Sequence, residues 1–240
     1  SLLDSQVTLE PWAHAPMTLT YVGLSLDAGA SDQRLDARFT LPDGQPVAMS
    51  LKAQVQASHW RDGAVQAYLS LPQSDWAKWL PASLIKPWKV SELKAGGEFW
   101  FNWSKGSVQS AVARLNAPSL RGAYAERKPE AVEDLALHAW VQRADQGFKV
   151  VLDSLAMNLG KERWETRMQL QQFAATDKEQ ERWHLQADHL DLTPITPLMD
   201  SLAPLPAAAA KVIDQLKVTG ALRNVLVAYR PAANDDQKLR

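Results

Sequence analysis

Alternation of apolar and polar residues at period two recurs along almost the whole chain, and no other feature restricts its fold so severely. Leu35, Ala37, Phe39 and Leu41 are interleaved with Asp36, Arg38 and Thr40. Met17, Leu19 and Tyr21 alternate with Thr18 and Thr20, and Val47, Met49, Leu51, Ala53 and Val55 continue the pattern. Further runs are Val65 to Leu71, Leu135 to Val141, Val151 to Leu159 and Trp164 to Leu170, the last separated by Glu165, Arg167 and Gln169. A strand places successive side chains on opposite faces, so each run reads as a half-buried strand with one apolar and one solvated side. A helix of the same composition would spread its apolar groups around its whole circumference.

Turn chemistry falls between the runs. Pro42-Asp43-Gly44, Asp62-Gly63, Lys105-Gly106 and Asp145-Gln146-Gly147 suit tight reversals. Short connections imply antiparallel neighbours. Two segments depart from the pattern. Ser74 or Asp75 is placed to cap a helix near 74–85, with Trp76, Trp79 and Leu80 on one face. A second helical segment is expected near 195–216, interrupted by Pro204 and Pro206. The polar stretch from Ala123 to Glu133, with Pro129, reads as a long loop.

A short motif recurs. Leu93-Lys94-Ala95-Gly96-Gly97 precedes Phe99-Trp100-Phe101 and Trp103, and Leu216-Lys217-Val218-Thr219-Gly220 precedes Leu222, Val225, Leu226, Val227 and Tyr229. Each copy follows a helical segment and a strand ending Leu-x-Leu, at Leu69 and Leu71 and at Leu190 and Leu192. Repetition points to two units, 1–122 and 123–240, that together bury a continuous surface. The expected fold is mainly β: roughly ten to twelve strands in a long, twisted antiparallel meander with two or three short helices. So few helices cannot cover one face of so long a sheet. The apolar face must pack on a second sheet, close into a barrel or stay open as a groove.

Composition narrows the partners. The chain has 240 residues, a net charge of −1, 46% hydrophobic residues and no cysteine. Disulfide and thiol chemistry are excluded, and there is no electrostatic case for nucleic acid or an anionic membrane surface. No segment reaches the ~18 uninterrupted apolar residues of a membrane helix. The chain opens at Ser1 without Met and ends on a polar run from Asp235 to Arg240, so it is read as a piece of something longer.

Candidate chemistry is sparse. Nucleophile elbows, zinc-protease helices, phosphate loops and dinucleotide fingerprints are missing from the sequence. His184, Asp188, His189 and Asp191 resemble a metal cluster in composition, but strand alternation sends His184 and His189 to opposite faces. Arg114, Arg121, Arg127 and Lys128 are mildly concentrated and read first as a solvated loop. No enzyme, cofactor or metal is expected. Phe99, Trp100, Phe101 and Trp103 put aromatics on both faces of one strand. Either that strand is buried on both sides, for instance beneath a helix bearing Trp76 and Trp79, or it presents an aromatic patch to an apolar ligand or a glycan.

Four stretches together resemble the YhdP family of AsmA-like envelope proteins. They are Trp60 to Leu71 running into Asp75-Trp76-Ala77-Lys78-Trp79-Leu80-Pro81; Gly147 to Leu152 with Leu159-Gly160 and Trp164; Trp183 to Pro194 with Pro204-Leu205-Pro206; and Leu216 to Tyr229. The likeness spans most of 58–230, and 1–57 match only in strand pattern. It implies a periplasmic segment of a protein anchored to the inner membrane through a helix outside this chain. The implied task is moving phospholipid toward the outer membrane along a β-sheet groove like that of bridge-like lipid-transfer proteins. The implied partners are phospholipid acyl chains and the rest of its own longer chain.

The expected lining of such a groove is Leu135, Leu137, Ala139, Val151, Leu155, Met157, Met168 and Leu170, with Phe99 and Phe101. Whether Val150 and Leu152 or Val151 and Leu155 face inward is open, because a one-residue bulge exchanges the faces. Two other classes remain: a β-rich protein- or glycan-binding module of the envelope, and a hydrolase.

Overall fold

A computed structural model describes residues 1–9, 16–29, 32–54, 63–78, 86–176, 179–196, 198, 201 and 219–230. The strands are β1 (Leu2–Leu9), β2 (Met17–Ala28), β3 (Asp32–Thr40), β4 (Pro46–Gln54), β5 (Ala64–Asp75) and β6 (Trp88–Ser104). They continue as β7 (Ser107–Tyr124), β8 (Glu130–Ala144), β9 (Gly147–Leu159), β10 (Glu162–Phe173), β11 (Arg182–Asp191) and β12 (Ala221–Tyr229). All 12 belong to one sheet in chain order, each antiparallel to the next, and β1 does not pair with β12. The fold is thus mainly β, a single antiparallel meander that is not closed into a barrel.

Local chemistry accounts for the reversals. Lys105 and Gly106 both take positive φ, 51° and 70°, and form the two-residue turn that matches strand twist. At the β3–β4 hairpin Gly44 has φ 84°, and its amide donates to the Leu41 carbonyl at 2.9 Å. The turns at 41–45, 125–129 and 160–161 lie at one rim of the sheet, here called basal. Those at 105–106 and 145–146 lie at the other, apical rim.

Three sequence expectations change. Ser74 and Asp75 are the last residues of β5 rather than a helix cap, and the described residues after them form a 3-10 turn, Trp76–Lys78. Ladder bonding carries the strand on, because Ser74 and Asp75 pair with Ala95 and Lys94 after a bulge; Trp79 and Leu80 lie outside the described residues. The loop expected at 123–133 shrinks to 125–129, since β7 runs through Tyr124 and β8 starts at Glu130. Polar composition marked the solvated side of paired strands, with Gly122 bonded opposite Glu130. Tyr21 does not continue the inward set of β2: it has φ 49°, sits in a register shift and is 72% exposed. Of the helical segment near 195–216, Thr196, Leu198 and Ser201 have helical backbone; its other residues beyond Ile195 lie outside the described set.

Burial is concentrated at the basal rim. Leu19, Leu41 and Val47 form one cluster, with Phe39, Leu71 and Trp76 against it. Val132, Met157, Trp164 and Leu198 form the other. Indole hydrogens pin both: Trp76 Nε1 donates to the Ala95 carbonyl at 2.7 Å, and Trp164 Nε1 to the Asp191 carbonyl at 2.8 Å. Among the described residues no large side chain is fully buried. A β-sandwich core would contain many, so the sheet stands as one layer with its basal rim packed.

Candidate functional site

Register pairing aligns the apolar positions into rows that cross the sheet. One row takes a residue from every strand: Leu2, Leu24, Ala37, Met49, Leu69, Phe99, Ala113, Ala139, Leu152, Met168, Ala187 and Val225. The next row toward the apical rim runs from β2 to β12 through Leu26, Leu35, Leu51, Ala67, Phe101, Ala111, Val141, Val150, Leu170, Leu185 and Val227. Neither row contains a polar residue. A third, on the basal side, joins Leu71, Gly97, Leu115, Leu137, Leu155 and Thr166. Directly opposed residues of an antiparallel pair share a face, so these rows form one apolar surface. Its central members, such as Met49, Phe99, Leu152 and Met168, are half-buried.

The residues chosen from sequence distribute as follows. Phe99, Ala139 and Met168 lie in the first row, Phe101 and Leu170 in the second, Leu137 and Leu155 in the third. Leu135, Leu155 and Met157 reach the basal cluster around Trp164. Val151 lies on the other face, opposite Trp140 and Gln169. The cause is a bulge in β9. Between Leu152 and Leu155 that strand has one residue more than both β8 and β10. Val150, Leu152 and Leu155 therefore share a face despite their odd spacing. Val150 and Leu152, the alternative left open by the sequence, thus share the apolar face with Leu155, and Leu185, outside the expected lining, joins them. Pairing across the ladder identifies them, and period counting within one strand does not.

The opposite face is polar with an aromatic strip. Tyr68, Trp100, Val112, Trp140 and Val151 are paired across it. The Arg114 guanidinium sits 5.4 Å from the Trp100 ring centroid, and the Lys149 ammonium 5.4 Å from that of Trp140. Tyr68 Oη donates to Glu98 Oε1 at 2.8 Å, and that bond, with some burial, raises the phenol above its usual pKa. Around the aromatics stand Arg38, Lys52, Gln66, Asn102, Gln142 and Gln171 in register. Phe99 and Phe101 thus belong to the apolar face and Trp100 to the polar one; the strand is half-buried on both sides.

Titratable groups are dispersed. His184 and His189 lie on opposite faces of β11, and His138 Nδ1 is 3.5 Å from Asp153 at the bulge. Among the described residues no three His, Asp or Glu side chains converge as metal ligands. Arg114 and Arg127 each cover an aromatic ring, of Trp100 and Tyr124 respectively. No described helix is long and apolar enough to cross a membrane. The chemistry this arrangement offers is contact with hydrocarbon over a broad area.

The family model described as YhdP protein matches residues 1–239. No curated protein and no solved structure matches the chain.

Proposed function

The chain belongs to the YhdP family, and from that premise we propose that its apolar face shields phospholipid acyl chains from water and passes them along the sheet. The observation that carries this reading is the pair of wholly apolar rows that cross the sheet without interruption. Each methylene removed from water gains about 0.8 kcal/mol, so a sliding chain loses nothing as it moves between equivalent strands. Residue-specific recognition is not required, which accords with the scattered charges. The family points to the cell envelope, and it is not known as enzymatic. We place the segment in the periplasm, tethered to the inner membrane through sequence outside this chain, with flow toward the outer membrane. Units 1–122 and 123–240 belong to the same proposal. A second reading, recognition of a protein or glycan, has Trp100 and Trp140 on the outer face in its favour. Those rings are covered by cations rather than ranged as a bare platform.

The test is the double replacement Leu152→Asp with Met168→Asp, compared with Trp164→Ala. The new carboxylates stay partly solvated on an open face, so the double variant loses about 1–2 kcal/mol. Trp164 is 2% exposed, and its loss costs about 3–5 kcal/mol. In the full-length protein the double variant loses crosslinking to photoactivatable phospholipid. If the double variant unfolds as readily as Trp164→Ala, and the unaltered protein never captures lipid, the transfer reading is removed.

A further inference from the structure

The apolar face has a direction. Across β8 to β11 its basal margin is closed by packed side chains, whereas its apical margin there changes composition abruptly. Two residues beyond the apolar row, Arg143, Phe148, Gln172, Trp183 and Tyr229 are joined in register across β8 to β12, and Trp103 holds the matching place on β6. Polar and aromatic groups are mixed here, and Glu181 ties two of them together. Gln172 Nε2 and Trp183 Nε1 both donate to Glu181 Oε1, at 2.6 and 3.0 Å, and the Trp183 ring stands edge-on to Phe148 with centroids 5.6 Å apart. Amphipathic rings beside amide and charged groups are the side chains that settle where hydrocarbon meets water. At the basal margin of these same strands the comparable indole, Trp164, is buried and spends its hydrogen on main chain; the half-buried Trp88–Tyr124 pair lies outside them, at the basal end of β6 and β7.

Dimensions agree. From Leu170 to Trp164 along β10 is six residues, roughly 20 Å at ~3.3 Å per residue. One leaflet of hydrocarbon is about 15 Å, half of a ~30 Å bilayer core. An acyl chain laid along the strands is therefore of a length to span the apolar rows.

We propose that this face holds phospholipids in one orientation. Acyl chains run along the strands with methyl ends at the basal clusters, and headgroups emerge at the apical rim beside Trp103, Phe148, Trp183 and Tyr229. The proposal rests on the lipid reading above and adds to it an orientation and a headgroup margin.

Two photoactivatable phosphatidylethanolamines test it, one with the diazirine in the headgroup and one with it at the end of an acyl chain. Each is presented to the chain in phosphatidylethanolamine–phosphatidylglycerol vesicles, and crosslinks are mapped by peptide mass spectrometry. The headgroup probe should mark peptides carrying Phe148, Trp183 and Tyr229 about tenfold over those carrying Leu155 and Trp164, equivalent to a ~1.4 kcal/mol preference. The chain-end probe should show the reverse ratio. Equal marking of both margins by the headgroup probe, with labels still on the apolar rows, overturns the orientation and spares the lipid reading. Absence of both probes from the apolar rows overturns both.

Discussion

Gly96 and Gly97 stand where neighbouring backbones leave no space for a side chain. A Cβ on Gly96 would lie 2.7 Å from the Gln73 amide nitrogen, and one on Gly97 would collide with the Arg114 carbonyl. Gly220, at the matching place in the second Leu-Lys motif, has nothing within 4 Å but takes φ 101°. One letter therefore answers two needs, close approach in β6 and left-handed backbone before β12, so the motif alone cannot establish that the two segments have the same environment. A nearby carboxylate offers a test at this scale. The Ser119 hydroxyl donates to Glu92 Oε1 at 2.6 Å, and this bond, then Lys94, holds Glu92 below the ordinary carboxylate pKa of 4.5. A group with a depressed folded pKa contributes stability above its unfolded pKa, and that stability is lost as pH falls through the folded value. Ser119→Ala should lower Tm slightly at neutral pH, with the difference vanishing in acid. A Tm difference that persists undiminished below the carboxylate range would show that the serine acts by packing instead.

At the scale of elements, the bulge in β9 decides which residues meet a ligand. Deleting Asp153 removes the extra residue and leaves Leu152 and Leu155 two apart, still on one face. The loss is confined to an exposed contact with His138, so stability should change by less than about 1 kcal/mol. Deleting Gln169 from the unbulged part of β10 should instead send one end of its apolar set to the polar face, and cost several kcal/mol. Urea denaturation of the two variants checks this, and equal losses would mean that register does not hold the face together. These elements also show what could be read beforehand. Alternation located the strands because each has a wet side. It could not reveal that Val150 and Leu155 are neighbours in orientation, because a bulge depends on both adjoining strands. The helix start expected at Ser74 or Asp75 misled for a related reason: Trp76 and Trp79 have helical spacing, yet Ser74 and Asp75 are held by ladder partners on β6. Local spacing is silent about such competition.

At the scale of the molecule, the sheet ends in β1 and β12, each paired on one side only among the described residues. Leu3 on β1 is 75% exposed and Leu226 on β12 is 74% exposed. Such edges template pairing with further strands. In isolation the chain should self-associate, and Leu226→Lys should reduce the associated fraction in analytical ultracentrifugation while moving stability by no more than about 0.5 kcal/mol. Unchanged association would exonerate β12. Mainly-β character and an exposed apolar side could both be anticipated at this scale from the patterning of Leu35 to Leu41 and Trp164 to Leu170. The single-layer outcome could not, because short apolar strands of a sandwich carry the same alternation.

The order of pairing, each strand with the one before it, has a consequence for assembly in time. Each strand pairs with its neighbour in sequence, so loop-closure entropy is met in successive local steps, the longest being the 192–220 connection before β12. A chain delivered N-terminus first presents β2 to β1, then β3 to the finished pair, and so on to β12. The growing edge is always the most recent strand, and every intermediate is a shorter version of the final sheet. Such a molecule folds as knitting advances, row upon row, and its length could be extended without altering how any earlier row is made.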